Sequence, residues 1–177
     1  AVADLSEFWS GQRKITLLDA NILACPDWKR LLGQLADSGA TVDFTQGLDI
    51  RLITPEKVKA LNKVKTKMLY FAWDNPEDDL TPYFRKFSDL TSVKDYRKRR
   101  VYVLTNYGST QEQDLYRIYT LREMGYEPFV MVYEKPTAPP ETRKLQRWVN
   151  NKWLFHAVPD FKDYDPTGYA KGKTKEK

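Results

Sequence analysis

The chain has 177 residues, of which 41% are hydrophobic and 30% are charged, a composition typical of one soluble globular domain. The net charge of +5 is concentrated in the lysine-rich end 171–177, so it is weak evidence for a nucleic-acid partner. The single cysteine, Cys25, excludes an internal disulfide and a thiolate cluster for zinc or iron–sulfur, and it fits a cytoplasmic protein. The sequence contains no run of the ~20 apolar residues that a membrane helix needs, and no signal peptide is recognisable, so no membrane partner is expected.

The first half of the chain predicts two strands, each followed by polar residues and a helix. The apolar run 15–18 predicts a short buried strand that ends in Asp19-Ala20-Asn21. Apolar residues recur at helical spacing from Trp28 to Ala36, which predicts an amphipathic helix. The run 41–44 predicts the second strand, which leads directly into the charged segment 45–51.

The same unit recurs three more times. Further strands are predicted at 67–72, 101–104 and 128–133. Helix starts are predicted at Thr54-Pro55, Thr81-Pro82 and the capping box of Thr110 with Gln113, whose helix carries the apolar residues Leu115, Ile118, Leu121 and Met124. Leu145, Trp148 and Val149 suggest a last helix, and a frayed, polar, Lys-rich tail is expected from Pro159.

Five strand–helix units in succession predict an α/β fold with a parallel sheet of about five strands. The alternatives are a partial (β/α) TIM-like barrel and an open doubly wound sheet. Because no G-x-G-x-x-G or P-loop motif is present, we favour the partial barrel, over residues 1–158. The first 14 residues contain no strand, so 15–18 should form an exposed sheet edge at which the chain could self-associate.

Polar residues follow every predicted strand, and in a barrel they would meet at the mouth formed by the carboxyl ends of the strands. They are Asp19, Asn21, Gln46, Asp49, Arg51, Trp73, Asp74, Thr105, Asn106, Tyr107, Tyr133 and Glu134. Loops of this kind are polar in any α/β protein, but five consecutive units of the same pattern favour a binding site at this end of the sheet.

Asp49 and Arg51 alternate along an extended segment, so their side chains could point the same way. Arg51 could bind a ligand carboxylate while Asp49 accepts from an amine or hydroxyl. Equally, the two residues could form a structural ion pair. Asp19 and Asp74 are candidates for a pair of acid–base carboxylates, which would require them to lie close together.

Other reactive residue types are better explained as structural. His156, the only histidine, lies in an apolar patch and is expected to be packed rather than catalytic. The basic run Arg97-Lys98-Arg99-Arg100 is expected to be a solvated surface.

In order along the chain, four motifs resemble those of radical S-adenosylmethionine (radical SAM) enzymes. Asp19-Ala20-Asn21 resembles the Asp-Asp-Asn motif after an early barrel strand of that family. Gly47 to Glu56, with Thr54-Pro55-Glu56, resembles the next strand and its "Leu-Thr-x-Glu" helix start. Residues 67–74 are similar to the strand after that, and Thr110 to Leu115 resembles the "Glu-Thr-x-Glu-Asp-Leu" helix.

The resemblance implies a cofactor site for S-adenosylmethionine at Asp19, Asn21, Gln46, Asp49, Arg51, Trp73, Asp74 and Asn106. The family also holds a [4Fe–4S] cluster on a Cys-x3-Cys-x2-Cys loop after its first strand, and this chain lacks both the loop and that strand. We therefore expect a fragment that begins downstream of the loop and carries no metal ligands and no cluster of its own.

From the resemblance we expect part of a radical SAM enzyme core that binds S-adenosylmethionine and a substrate and is inactive alone. The catalytic residues and the substrate, whether protein, tRNA or small molecule, are not indicated. The alternative is a non-catalytic, barrel-like module that binds a small anionic ligand at the same mouth.

Overall fold

A computed structural model describes residues 3–18 and 21–167 of the chain. Five β-strands form one sheet: β1 (Lys14–Leu17), β2 (Thr41–Phe44), β3 (Thr66–Ala72), β4 (Arg99–Thr105) and β5 (Glu127–Val132). The helices are α1 (Trp28–Asp37), α2 (Pro55–Leu61), α3 (Thr81–Leu90), α4 (Gln111–Glu123), α5 (Pro140–Asn150) and α6 (Lys152–Ala157). The prediction of an α/β fold with five parallel strands that alternate with helices is confirmed.

The sheet is open, and its strands lie in the order β1-β2-β3-β4-β5, all parallel. This sequential order lacks the reversal that characterises a doubly wound sheet. It also does not close, because β1 and β5 are edges rather than partners, so these residues do not form a barrel. As predicted, β1 lies at an edge of the sheet.

The helices begin where their local sequences favour it. The Thr54 hydroxyl accepts a hydrogen bond from the backbone N–H of Lys57, and Pro55 occupies the first turn of α2. Thr110 and Gln113 form the predicted capping box of α4, in which each side chain accepts from the other residue's backbone N–H. Among the described helices, none is long and apolar enough to cross a membrane.

The helices cover one face of the sheet. Every crossover from β1 to β5 moves in the same direction, and right-handed crossovers then place their helices on the same side. Along β4, Val101 and Val103 point into the core that the helices cover, whereas Arg100, Tyr102 and Leu104 are only half-buried and point the other way. The opposite side is therefore a helix-free face.

The segment after Pro159 differs from the expected tail. Phe161 and Tyr164 are only 4% and 2% exposed and belong to a second core cluster around β5, α5 and α6, in which Phe161 packs against Trp148. Two aromatic side chains spaced three residues apart anchor an otherwise polar segment. Residues 168–177 lie outside the described part of the chain.

Two structural predictions about polar residues were wrong. His156 is exposed rather than packed, although its ring contacts Tyr96 and Phe155. Arg99 belongs to the basic run yet is buried, because its guanidinium lies 4.8 Å from the centroid of the Tyr126 ring and donates to the Ser88 hydroxyl. Burial lowers the pKa of Arg99.

Candidate functional site

A cavity of about 320 Å³ lies at the carboxyl ends of the strands, where α/β proteins place their ligands. The loops that follow β1, β2 and β3 supply most of its wall. It is lined by Asn21, Gln46, Gly47, Leu48, Asp49, Arg51, Phe71, Ala72, Asp74, Asn75, Asp78, Leu80 and Tyr102. Five of the eight predicted cofactor-binding residues, Asn21, Gln46, Asp49, Arg51 and Asp74, therefore lie around one cavity.

The segment 45–51 reaches this position because its backbone is fastened to the strands on both sides. The Thr45 hydroxyl donates to the carbonyl of Leu17 at 2.6 Å, and the Leu48 N–H donates to the carbonyl of Tyr70 at 2.7 Å. Gly47 has φ +91°, and a Cβ there would lie 3.4 Å from the Tyr70 carbonyl oxygen. The dihedral, rather than the contact, favours glycine at this position, because a Cβ 3.4 Å from an oxygen is an ordinary van der Waals contact.

Asp49 and Arg51 form an ion pair with each other. Arg51 donates to Asp49 through its backbone N–H and Nε to Oδ1, both at 2.9 Å, and through Nη2 to Oδ2 at 2.8 Å. The hydrogen bonds from Arg51 lower the pKa of Asp49, so this carboxylate is ionised at neutral pH. Of the two sequence interpretations, the structural ion pair is present, and it still lines the cavity.

The cavity carries an excess of negative charge. Asp49, Asp74 and Asp78 line it, against a single guanidinium, that of Arg51. Desolvation of its carboxyl group raises the pKa of Asp74, and Arg117 opposes that shift. A positively charged ligand group would oppose the desolvation of Asp74 and would favour its ionised form.

A buried arginine on α4 fixes the ends of two strands next to the cavity. Arg117 is 1% exposed and donates to the carbonyls of Trp73 at 2.7 Å and Leu104 at 2.9 Å. Its Nη2 also donates to Asp114 Oδ1 at 2.5 Å, and that pair is buried on both sides. Burial raises the pKa of Asp114 and lowers that of Arg117.

The buried face of α4 differs from the apolar stripe that the sequence predicts. It consists of Asp114, Arg117, Ile118 and Leu121, whereas Leu115 is only partly buried.

The remaining predicted residues lie elsewhere. Trp73 does not line the cavity, because its ring is buried on the helical side against Phe84 and its Nε1 donates to the Asp78 carbonyl at 2.8 Å. Asn106, at φ 63°, joins two loops by donating to the Tyr133 carbonyl at 2.9 Å. Asp19 lies outside the described residues, so the proposed pairing with Asp74 has no measured separation.

Tyr102 and Asp78 are two of the cavity residues that the sequence analysis did not assign to the site. Tyr102 lies in the middle of a strand rather than after one, and only the alternation Val101-Tyr102-Val103 indicates that it points away from the core. Asp78 reaches the cavity because Trp73 Nε1 holds the backbone of its loop, a contact without a local signal. In the described part of the chain, no group of three or more His, Cys, Asp or Glu is arranged to hold a metal ion.

No family model matches the chain, and neither the curated proteins nor the solved structures include a significant match to it.

Proposed function

We propose that the cavity binds the methionine end of S-adenosylmethionine and that the open sheet is part of a radical SAM-type (β/α) barrel core. The observation that carries the proposal is the convergence of Asn21, Gln46, Asp49, Arg51 and Asp74 on one cavity. Asn21, Asp49, Arg51 and Asp74 belong to the segments that resemble motifs of that family, and Gln46 directly precedes one of them.

The charge of the cavity supports a cationic ligand. S-adenosylmethionine carries an ammonium and a sulfonium against one carboxylate, so it complements three aspartates and one arginine. Asp49 and Asp74 would accept hydrogen bonds from the ammonium, and the amides of Asn21 and Gln46 would donate to the ligand carboxylate. The same charge disfavours the alternative of a module for a small anionic ligand.

The cavity residues fit S-adenosylmethionine, but the chain does not fit the iron–sulfur cluster. A [4Fe–4S] cluster needs several thiolates, and the sequence has only Cys25. When bound in such an enzyme, the cluster reduces the sulfonium; this chain would supply binding and orientation of the ligand.

The experiment is a calorimetric titration of the protein with S-adenosylmethionine. In Asp49→Asn, removal of the carboxylate charge should weaken binding about tenfold or more, since a charge-assisted hydrogen bond is lost. The matched control is Asp95→Asn, which alters the same Asp-x-Arg arrangement away from the cavity and should leave binding unchanged.

S-adenosylhomocysteine, whose sulfur is neutral, should bind more weakly than S-adenosylmethionine. Absence of binding by the folded protein, or equal effects of the two asparagine variants, would refute the proposed site.

A further inference from the structure

The helix-free face carries a row of aromatic side chains on three adjacent strands. The rings of Tyr70 and Tyr102 lie 5.9 Å apart and nearly parallel, at 7°. The Phe129 ring lies 5.6 Å from that of Tyr102 and nearly perpendicular to it, at 85°. On the same face, Met131 of β5 is 49% exposed. A sheet face turned to water normally carries polar side chains, so an aromatic row there indicates a binding surface.

Beside this row lies an arginine that forms no ion pair within the described part of the chain. Arg100 lies opposite Tyr70 in the register of β3 and β4, and its guanidinium is 5.4 Å from the centroid of the Phe129 ring. It forms no ion pair with any described residue, and its Nε is buried without a hydrogen-bond acceptor there. A buried donor left unsatisfied is costly, and an anionic ligand would satisfy it.

On the other side of Tyr70 lies a carboxylate with one unused oxygen. Asp43 of β2 is 6% exposed, and its Oδ2 accepts from Lys67 at 2.6 Å. Its Oδ1 is buried without a donor among the described residues. Because β2 and β4 lie on either side of β3, Asp43 and Arg100 flank Tyr70 from opposite sides.

We propose that this face binds a mononucleotide, with the base stacked on the Tyr70–Tyr102 pair, the phosphate on Arg100 and an exocyclic amine directed to Asp43. Tyrosine rings stack on nucleobases whatever the sequence, and a guanidinium binds phosphate. Arg100 is the one cation of the aromatic row that has no partner among the described residues. A polynucleotide needs a row of cations, so a single nucleotide fits better.

The proposal goes beyond the proposed function and does not depend on it. Tyr102 lines both the cavity and the aromatic row. Tyr70 and Arg100 line only the row, and Asp49 and Arg51 line only the cavity. Variants at Tyr70 and Arg100 therefore test the nucleotide surface separately from the proposed S-adenosylmethionine site.

The experiment is a titration of the protein with adenosine 5′-monophosphate, followed by calorimetry and by NMR of the tyrosine ring protons. Binding should weaken about tenfold or more in Tyr70→Leu, which removes a stacking surface, and in Arg100→Gln, which removes the cation. Tyr116→Leu and Arg85→Gln are the matched controls, since both residues are exposed on helices, and they should bind as the unmodified protein does.

Three results would overturn the proposal. One is the absence of binding and of tyrosine ring shifts in the unmodified protein, a test that holds even if a variant fails to fold. Another is undiminished binding in both Tyr70→Leu and Arg100→Gln. The third is tighter binding of a single-stranded oligonucleotide than of the monophosphate, which would assign the face to a polynucleotide. Cytidine monophosphate should bind more tightly than uridine monophosphate, because only cytidine offers an amine to Asp43.

Discussion

The two ends of the sheet carry the same local structure in different surroundings. At the carboxyl end, Asp49 caps a short 3₁₀ turn and holds the Nε and Nη2 of Arg51. At the amino end, before β4, Asp95 does the same for Arg97, with hydrogen bonds within 0.1 Å of the same lengths. The backbone angles of the two aspartates agree within a few degrees. An Asp-x-Arg sequence therefore makes this turn by itself, and a ligand is not needed to explain it.

The surroundings separate the two ends. Asp49 and Arg51 border a cavity with further carboxylates, whereas the Asp95–Arg97 pair is not among the residues that line it. Each end also has a buried arginine, Arg117 at the carboxyl end and Arg99 at the amino end. Arg117 is paired with a buried carboxylate, while Arg99 lies on a tyrosine ring and donates to neutral oxygens. The Asp-x-Arg motif therefore does not by itself indicate a binding site. The cavity and the additional carboxylates around Asp49 and Arg51 distinguish that copy of the motif from the copy at Asp95 and Arg97.

Substitution of the two buried arginines should give the largest difference in the free energy of unfolding between the two ends of the sheet. Arg117→Met removes one partner of a buried ion pair and takes the guanidinium hydrogen bonds away from Asp114 and from three carbonyls at the ends of β3 and β4, so it should cost about 3–5 kcal/mol. Arg99→Met leaves no buried carboxylate behind and should cost about 1–2 kcal/mol. Urea unfolding of both variants measures the difference, and equal losses would remove this distinction between the ends.

The largest alkaline pH effect should come from Tyr126, at the amino end of the sheet. Burial raises the pKa of Tyr126 to about 12, and its hydroxyl donates to the Phe84 carbonyl at 2.8 Å. Because the folded pKa lies above the unfolded pKa of about 10, this contribution is fully present below pH 10 and is lost as the pH rises towards 12. The loss should reach about 2–3 kcal/mol.

Stability curves from pH 8 to 12 for the protein and for Tyr126→Phe measure this effect. The slope above pH 10 should be smaller in the variant. An unchanged slope would mean that another group governs alkaline unfolding.

Gly47→Ala tests how strongly the backbone conformation of the segment 45–51 contributes to stability at the carboxyl end. The substitution forces a side chain to φ +91°, outside the left-handed helical region, with its Cβ in van der Waals contact with the Tyr70 carbonyl, and it should cost about 2 kcal/mol. Gly108 also has a positive φ, but a Cβ there meets no heavy atom within 4 Å, so Gly108→Ala should cost about 1 kcal/mol. Thermal melts compare the two, and a larger loss at Gly108 would contradict the packing described for the 45–51 segment.

Substitution of the two capping aspartates, Asp49 and Asp95, should cause the smallest loss of folding stability. Arginine hydrogen bonds lower the pKa of Asp49 and of Asp95, so each contribution is present above the unfolded pKa and lost as the pH falls through the folded one. Asp49→Asn should cost less than about 1 kcal/mol because the pair is partly solvated, and Asp95→Asn should cost less still. Acid titrations of stability measure both. A large loss in either variant would show that the turn is more than a local cap.

Local patterns predicted the elements well. The five strands were recognisable from short β-branched and apolar runs, and Thr54, Pro55 and the Thr110–Gln113 box marked helix starts at the correct positions. The convergence of the loops around one cavity followed from strand direction alone, since parallel strands bring their carboxyl ends together. Whether the sheet closes depends on partners for β1 and β5, which no local pattern encodes.

Contacts distant in sequence account for what was missed. The buried position of Arg117 was not predicted, because the carbonyls that accept its hydrogen bonds are more than ten residues away in the sequence. Trp73 was assigned to the site by its place after a strand, but the loop folds over it and places its ring on the helical side. Side chains immediately after a strand share its end of the sheet but not necessarily its face.

The hydrophobic core is divided into two clusters, so parts of the molecule can unfold separately. One cluster fills the space beneath β1 to β4, and the other lies between β5, α5, α6 and the segment up to Tyr164. Helix α4 belongs to both, since Leu121 packs in the first cluster and Ile118 in the second. Amide hydrogen exchange should therefore show two cooperative units, with α5 and α6 exchanging through a partial opening while the strands around the cavity exchange only on global unfolding.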